Sequence, residues 1–254
     1  MEPITIASYS FHKLLERGMI DLFGYLEASK YHYNVDNADI WNGFILSYEE
    51  DYLKKIREAL DDRGMTLQAL CCDWAHPYSD DPDQLKKQNA VAEDCLRAAD
   101  ILGAKTVRFD LGVHTREINE AQYDIVSKAF RAYAQHGFDN GYAVGPENHW
   151  GASRRLSVQK ELHARVNHPG YATLLHFDNW DLEAGETLEA NNLAFAKIAA
   201  HTHVSYEVSE RSCDLLPKVR EAGYKGMWGC EHHTEVDEYR KVALQLGRIR
   251  LAKC

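Results

Sequence analysis

Four short segments in the second half of the chain each carry a carboxylate or an imidazole where a strand-like run ends. They are Gly145-Pro-Glu147-Asn-His149-Trp150, His176-Phe-Asp178-Asn-Trp180, His201-Thr-His203-Val-Ser-Tyr206 and Gly229-Cys-Glu231-His-His233. Glu147, Asp178 and Glu231 would bring three carboxylates to neighbouring strand ends. A carboxylate placed there costs desolvation unless it is paired or metal-bound, and three within a few ångströms repel strongly. A divalent cation or a tight proton network is therefore expected among them. Three oxygen donors and one imidazole suit one divalent metal ion, Mn²⁺ first, then Mg²⁺ or Co²⁺, with Zn²⁺ admissible. No thiolate belongs to the set, which argues against a structural zinc site. Each residue also has an ordinary explanation by itself: a loop glutamate after Pro146, a helix-capping aspartate, a core histidine, a lysine-paired glutamate. The joint spacing is what carries the reading.

Steps of 31, 25 and 28 residues separate Glu147, Asp178, His203 and Glu231. Each step is about the length of one strand-plus-helix unit, so the ligands come from consecutive parallel strands whose carboxyl ends share a rim. The rest of the chain fits. Strand-like runs at 4–11, 39–44, 65–74, 105–111, 142–148, 171–178, 201–206 and 227–232 alternate with amphipathic runs at 21–31, 48–63, 83–102, 120–137, 157–166, 188–200, 212–222 and 235–252. Gly64 and Gly103 stop the second and third helices, and Pro82 opens the third. Eight such units in 254 residues predict a single (β/α)8 TIM-barrel domain spanning 1–254. Strand one leads into Ser8-Tyr-Ser-Phe-His12, with no glycine, which excludes a dinucleotide fingerprint or P-loop.

Bulk properties narrow the partners. Lys and Arg number 29 against 39 Asp and Glu, a formal charge of −10, which opposes a nucleic-acid partner and an anionic membrane surface. Polar residues interrupt every apolar run short of a membrane span, and no secretory leader is expected at the start. The six cysteines, Cys71, Cys72, Cys95, Cys213, Cys230 and Cys254, contain no CxxC pair. Reduced thiols in a cytoplasmic protein are the expectation. Cys71 and Cys72 would present one core-facing and one helix-facing side chain. Of His201 and His203, only one is expected to face the barrel interior.

Glu147-Asn-His-Trp-Gly151, His176-Phe-Asp178-Asn, His201-Thr-His203 and Gly223-Tyr-Lys-Gly226-Met-Trp-Gly-Cys-Glu231 together resemble motifs of the xylose-isomerase-like TIM-barrel superfamily of sugar isomerases, ketose 3-epimerases, inosose dehydratases and hydroxypyruvate isomerases. Asp39-Ile-Trp-Asn-Gly43 is similar to its strand-two end. The resemblance implies metal ligands Glu147, Asp178, His203 and Glu231, with the second histidine of the pair as the ligand. It also implies Glu147 and Glu231 as the acid–base pair, one removing and the other returning a proton beside a metal-polarised carbonyl through an enediolate. Where many members continue Val-Lys-Asp after that histidine, this chain has Val204-Ser-Tyr206, and Asp181 stands where ketose epimerases have a histidine. Arg211 follows strand seven at a spacing different from the epimerase arginine.

The expected activity is a divalent-metal-dependent isomerase or epimerase of a sugar, keto-sugar or cyclitol. A dehydratase of a keto-cyclitol or keto-sugar is the alternative, and a non-catalytic sugar-binding or partner subunit a further one. An abasic-site endonuclease, a related branch, is opposed by the charge. His149, Trp41, Trp74, Arg108, Trp180 and His232 are candidate substrate-binding residues, since aromatic faces and hydrogen-bond donors suit a polyol. Arg108 is the cation an anionic substrate group would want, unless Asp110 or a ligand carboxylate already holds it. A homo-oligomer is compatible with everything above.

Overall fold

A computed structural model describes residues 4–233 and 235–252. Its eight strands are β1 (Ile4–Ala7), β2 (Asn37–Trp41), β3 (Thr66–Cys72), β4 (Thr106–Phe109), β5 (Ala143–Gly145), β6 (Thr173–His176), β7 (Ala199–Val204) and β8 (Met227–Cys230). All pair in parallel, in the order β5-β4-β3-β2-β1-β8-β7-β6. Isolated bridges Val144↔Tyr171 and Glu147↔Leu174 join β5 to β6, so the sheet curls into a nearly closed barrel. This is the (β/α)8 barrel that the alternation predicts.

The outer helices follow from local signals. Asp81 accepts from the backbone N–H groups of Asp83 and Gln84 to start Pro82–Leu102, which Gly103 ends at φ 68°. Asn119 and Gln122 form a reciprocal capping box at the start of Glu120–Asn140. The observed strands are shorter than the apolar runs. Residues beyond the last ladder bond turn away to form the loops that carry the site. After β1, for example, Ser8–Phe11 tightens into a 3₁₀ turn.

The main apolar core lies between sheet and helices, with Ile6, Leu70, Phe109, Leu175 and Val204 facing outward from the strands. Each fully buried leucine or phenylalanine there stabilises the fold by about 1.5–3 kcal/mol. Inside the barrel the buried apolar cluster is small, Ala69, Cys71 and Leu174, while Thr5, Asp39, Arg108 and His201 are buried polar residues. Cys71 thus faces inward and Cys72 the helical layer, the split expected of adjacent strand residues. Cys71, Cys72, Cys95, Cys213 and Cys230 are free thiols; Cys254 lies outside the described residues. Among the described residues no helix is long and apolar enough to cross a membrane.

Two glycines fix how closely the strands approach beneath the site. A Cβ on Gly145 would stand 2.2 Å from the Ala172 carbonyl oxygen, and one on Gly229 would stand 2.2 Å from that of Thr202. Glu147 and Glu231 follow these glycines by two residues.

Candidate metal centre

Side chains two apart on a strand share a face, and the barrel's upper interior is built from such pairs. Asp39 and Trp41, Cys71 and Asp73, Glu147 and His149, and Glu231 and His233 line one cavity, together with Tyr9, Arg108 and His203. His201 and His203 obey the same rule. Both point inward, and both Nε2 atoms reach Asp39 Oδ2, at 2.7 and 3.1 Å. The expectation that only one of them faces the interior is corrected on this ground.

Four ligand atoms converge, from Glu147, His176, His203 and Glu231, all within 4.8 Å of one another and all buried. His203 Nδ1 is 3.2 Å from Glu147 Oε1 and 3.3 Å from Glu231 Oε2. His176 Nδ1 is 3.0 and 3.5 Å from the same two oxygens. The structure therefore brings Glu147, His203 and Glu231 together, with His176 as the fourth member of the group and Asp178 outside it. The reason is backbone geometry. Leu174 faces the barrel interior and His176 follows in register, but β6 ends there. Asp178 adopts φ 64°, which breaks the alternation and carries its carboxylate away from the four-residue group, to the wall of the adjoining cleft that His149, His176 and His233 also line. There it accepts from Asn192 Nδ2 at 2.8 Å and pairs with Arg211.

The electrostatics call for a cation at this point. Burial pushes Glu147 and Glu231 toward protonation, yet His203 and neighbouring imidazoles hold Glu147 well below the usual carboxylate range and Glu231 down to about 2. Burial also opposes a charged His203, but Glu231, Glu147 and Asp39 raise it well above the ordinary histidine value. Both ring nitrogens of His203 face carboxylates, which favours its protonated form. Its Nδ1 lies between the Glu147 and Glu231 oxygens, a place that a divalent cation held by Glu147, His176, His203 and Glu231 would take. The donor set of two carboxylates and two imidazoles fits Mn²⁺, Co²⁺ or Zn²⁺ better than Mg²⁺.

A second ring of contacts orients these groups. Asp39, buried, accepts from His203 Nε2 and so fixes Nδ1 toward the centre, the arrangement that metal-bound histidines ordinarily use. Asp39→Asn is expected to weaken divalent-metal binding by about 10–100-fold, measured by metal titration of the purified protein. Unchanged affinity would remove Asp39 from this role. Arg108 is buried. Its Nη1 lies 2.8 Å from Asp73 and 2.9 Å from Asp110, and its Nε 3.2 Å from Glu147. His233 Nε2 lies 2.8 Å from Glu231 Oε2.

Of the candidate substrate contacts, Trp41, Arg108 and His149 line the cavity, and Trp74 lines an adjoining cleft with Asp110, His114 and Trp150. Trp180 and His232 do not. Trp180 is buried against Phe195 and donates to Asn192. His232 points the opposite way from Glu231, edge-on to Tyr206, and burial lowers it to about 4. His176, Asp39, Tyr9 and Cys71 belong to the site although spacing alone does not single them out. The signal for His176 and Asp39 was available, since each is two residues from an inward-facing neighbour on its strand, Leu174 and Trp41.

His149 gives a pH prediction. Burial lowers its basicity, but Glu147 and Asp110 outweigh this and raise it to about 9. The native state therefore holds this proton more tightly than the unfolded chain, whose histidine titrates near 6.5. The stabilisation is complete below about pH 6.5 and is lost as pH rises through about 9. Between pH 7 and 9.5 the thermal midpoint of metal-free protein should fall more steeply in wild type than in His149→Gln, by calorimetry. Parallel curves would contradict the assignment.

A barrel of eight parallel strands with buried carboxylates and imidazoles gathered at its carboxyl rim defines a class of proteins that build their sites from strand ends. The chain belongs to the xylose isomerase-like TIM barrel family, whose model matches residues 32–248. Among solved structures, it is similar to the 3-keto-D-glucoside 4-epimerase YcjR from E. coli, with TM-score 0.74 and 14% identity over 99% of this chain and 100% of that one. The probable 3-DHS dehydratase AsbF from Bacillus anthracis gives 0.74 and 12%, over 98% and 99%. A D-allulose 3-epimerase from Methylomonas sp. gives 0.75 and 12%, over 99% and 98%. At these identities the likeness is one of fold. No curated protein sequence matches the chain.

Proposed function

We propose that the chain is a divalent-metal-dependent isomerase or epimerase acting on a sugar, keto-sugar or cyclitol. The observation that carries this reading is the convergence of Glu147 and Glu231, both buried, on the same two imidazole nitrogens in the wall of one cavity. Glu147, His176, His203 and Glu231 would hold the metal. When bound, it supplies a Lewis acid that polarises a carbonyl and acidifies the neighbouring C–H. Glu147 and Glu231 are the acid–base pair, one removing the proton and the other returning it. Arg108 anchors Glu147, and His233 anchors Glu231. Trp41 and Tyr9, whose rings meet edge-on at 5.1 Å, offer the apolar face of a sugar a wall. Manganese is the metal proposed first.

Dehydration of a keto-sugar or keto-cyclitol is the second reading. It is favoured by His149, an imidazole in the cavity wall held by Asp110 at 3.1 Å, which in its protonated form can give a proton to a departing hydroxyl. The likeness to AsbF is compatible with it. The test is incubation of Mn²⁺-loaded protein with ketohexoses and inososes in D₂O. Isomerase or epimerase chemistry places deuterium on the carbon beside the carbonyl without loss of water; dehydration gives an unsaturated product. Absence of both across the panel would overturn the enzymatic reading.

A further inference from the structure

Resting on the reading of the inner cavity given above, we infer that the cleft beside it is a second subsite, and that the substrate is a ketose joined by a glycosidic bond to a second sugar ring. The cleft lies between the loops that follow β3, β4 and β5, which contribute Trp74, Asp110 and Trp150, and the helix Pro82–Leu102, which contributes Gln88. Asp73 and His149 line both the cleft and the inner cavity, so the two spaces adjoin. The inner cavity encloses about 130 Å³, below the roughly 300–1,000 Å³ of ordinary small-molecule sites, and the cleft adds about 430 Å³. A ligand that fills both is larger than one sugar ring.

Two buried acceptors of the cleft wall have no partner in the protein. Gln88 is 6% exposed and Asp110 2%. The Gln88 amide nitrogen lies 3.3 Å from His76 Nδ1, and its Oε1 meets no donor. Asp110 Oδ2 faces Arg108, His149 and Trp150, and its Oδ1 meets no donor. Buried polar atoms left in this way call for a hydrogen bond, and a sugar's hydroxyls supply one. Neither atom has a part in the acid–base chemistry proposed above.

The rest of the wall is aromatic. Trp74 is 55% exposed and holds φ 60°, a backbone region that bulky residues rarely adopt. Burial does not account for a ring this open, whereas a ligand stacked on it would. Trp150 donates from Nε1 to Asp110 at 3.1 Å and lies nearly parallel to the His114 ring, with centroids 4.3 Å apart. Trp41 of the inner cavity stands 6.0 Å from Trp74. Aromatic surface thus runs from the inner cavity into the cleft with hydroxyl acceptors beside it, which suits a sugar ring better than an apolar substituent. The opposite cleft, past β6 and β7, has no tryptophan and no unpartnered buried side-chain atom among its described lining residues.

The probes are D-fructose and three disaccharides that carry a second ring on fructose: turanose at O3, lactulose at O4 and palatinose at O6. Each is titrated calorimetrically into Mn²⁺-loaded protein. At least one disaccharide is expected to bind about tenfold more tightly than D-fructose, the worth of roughly one buried hydrogen bond. Trp74→Gly and Gln88→Leu should each lower that ratio by about fivefold or more. Glycine accepts the backbone at position 74, and leucine nearly matches glutamine in volume at position 88, so folded protein is expected of both. Disaccharides no tighter than D-fructose, or an advantage that survives both substitutions, would overturn the inference. Deuterium exchange is followed in the same samples. Exchange with D-fructose and no disaccharide preference would overturn the subsite and leave the isomerase reading standing. Preference without exchange would uphold the subsite and count against turnover.

Discussion

His176→Ala is expected to weaken divalent-metal binding by about 100-fold or more, whereas Asp178→Asn should leave it within about threefold. The first figure follows because even residues that only orient metal ligands typically cost 10–100-fold when replaced, and His176 presents its own nitrogen to the centre. The second follows from where Asp178 points. Its carboxylate lies with Asn192 and Arg211 outside the ligand group, and asparagine tolerates the left-handed backbone that position adopts. Isothermal titration of both variants with Mn²⁺ and Zn²⁺ decides the matter. Equal losses in the two, or a loss confined to Asp178→Asn, would return Asp178 to the ligand set. A second nitrogen donor also bears on metal choice. His176→Asp should shift the Mn²⁺/Zn²⁺ affinity ratio toward Mn²⁺, since carboxylates favour harder cations.

Glu147→Gln and Glu231→Gln should each lower turnover by about 10²–10⁴-fold, the range in which a positioned acid or base contributes. The two substitutions differ in their side effects. Glu147 is held by Arg108 as well as by the histidines, so its neutralisation leaves a buried guanidinium with one partner fewer. Glu231 lies against His233 at the cavity mouth, where the charge lost is closer to solvent. Glu147→Gln should therefore also cost the more stability, seen as the larger drop in thermal midpoint. Deuterium exchange measured at saturating metal separates the chemical loss from weakened metal binding. Either variant retaining more than about a tenth of wild-type exchange would remove that carboxylate from the acid–base pair.

The barrel could be read from the chain because its signals are local and repeated. Amphipathic helices with caps at Asp81 and Asn119 alternate with apolar strand runs eight times over. At the centre, Glu147, His203 and Glu231 were legible because strand length fixes their spacing and they end strands in register. Asp178 differs from the other three in a way spacing cannot show: it takes a positive φ just past β6, and the side chain that meets Glu147, His203 and Glu231 is His176, two residues earlier and still in the ladder. Trp180 and His232 look like rim residues by position but occupy outward-facing places, and outward side chains here pack against helices. Arg108 was legible as a cation near a strand end with Asp110 or a ligand carboxylate to hold it; Asp73, which follows the neighbouring β3, is the partner that only strand pairing reveals.

The central claim is that Glu147, His176, His203 and Glu231 form one divalent-metal centre, and its most direct test is elemental analysis with metal titration of the purified protein. The structure leads to one tightly bound divalent ion per chain in wild type and to a marked loss of that ion in Glu231→Gln. Wild-type protein that takes up no stoichiometric divalent metal, even after supplementation with Mn²⁺, would contradict it.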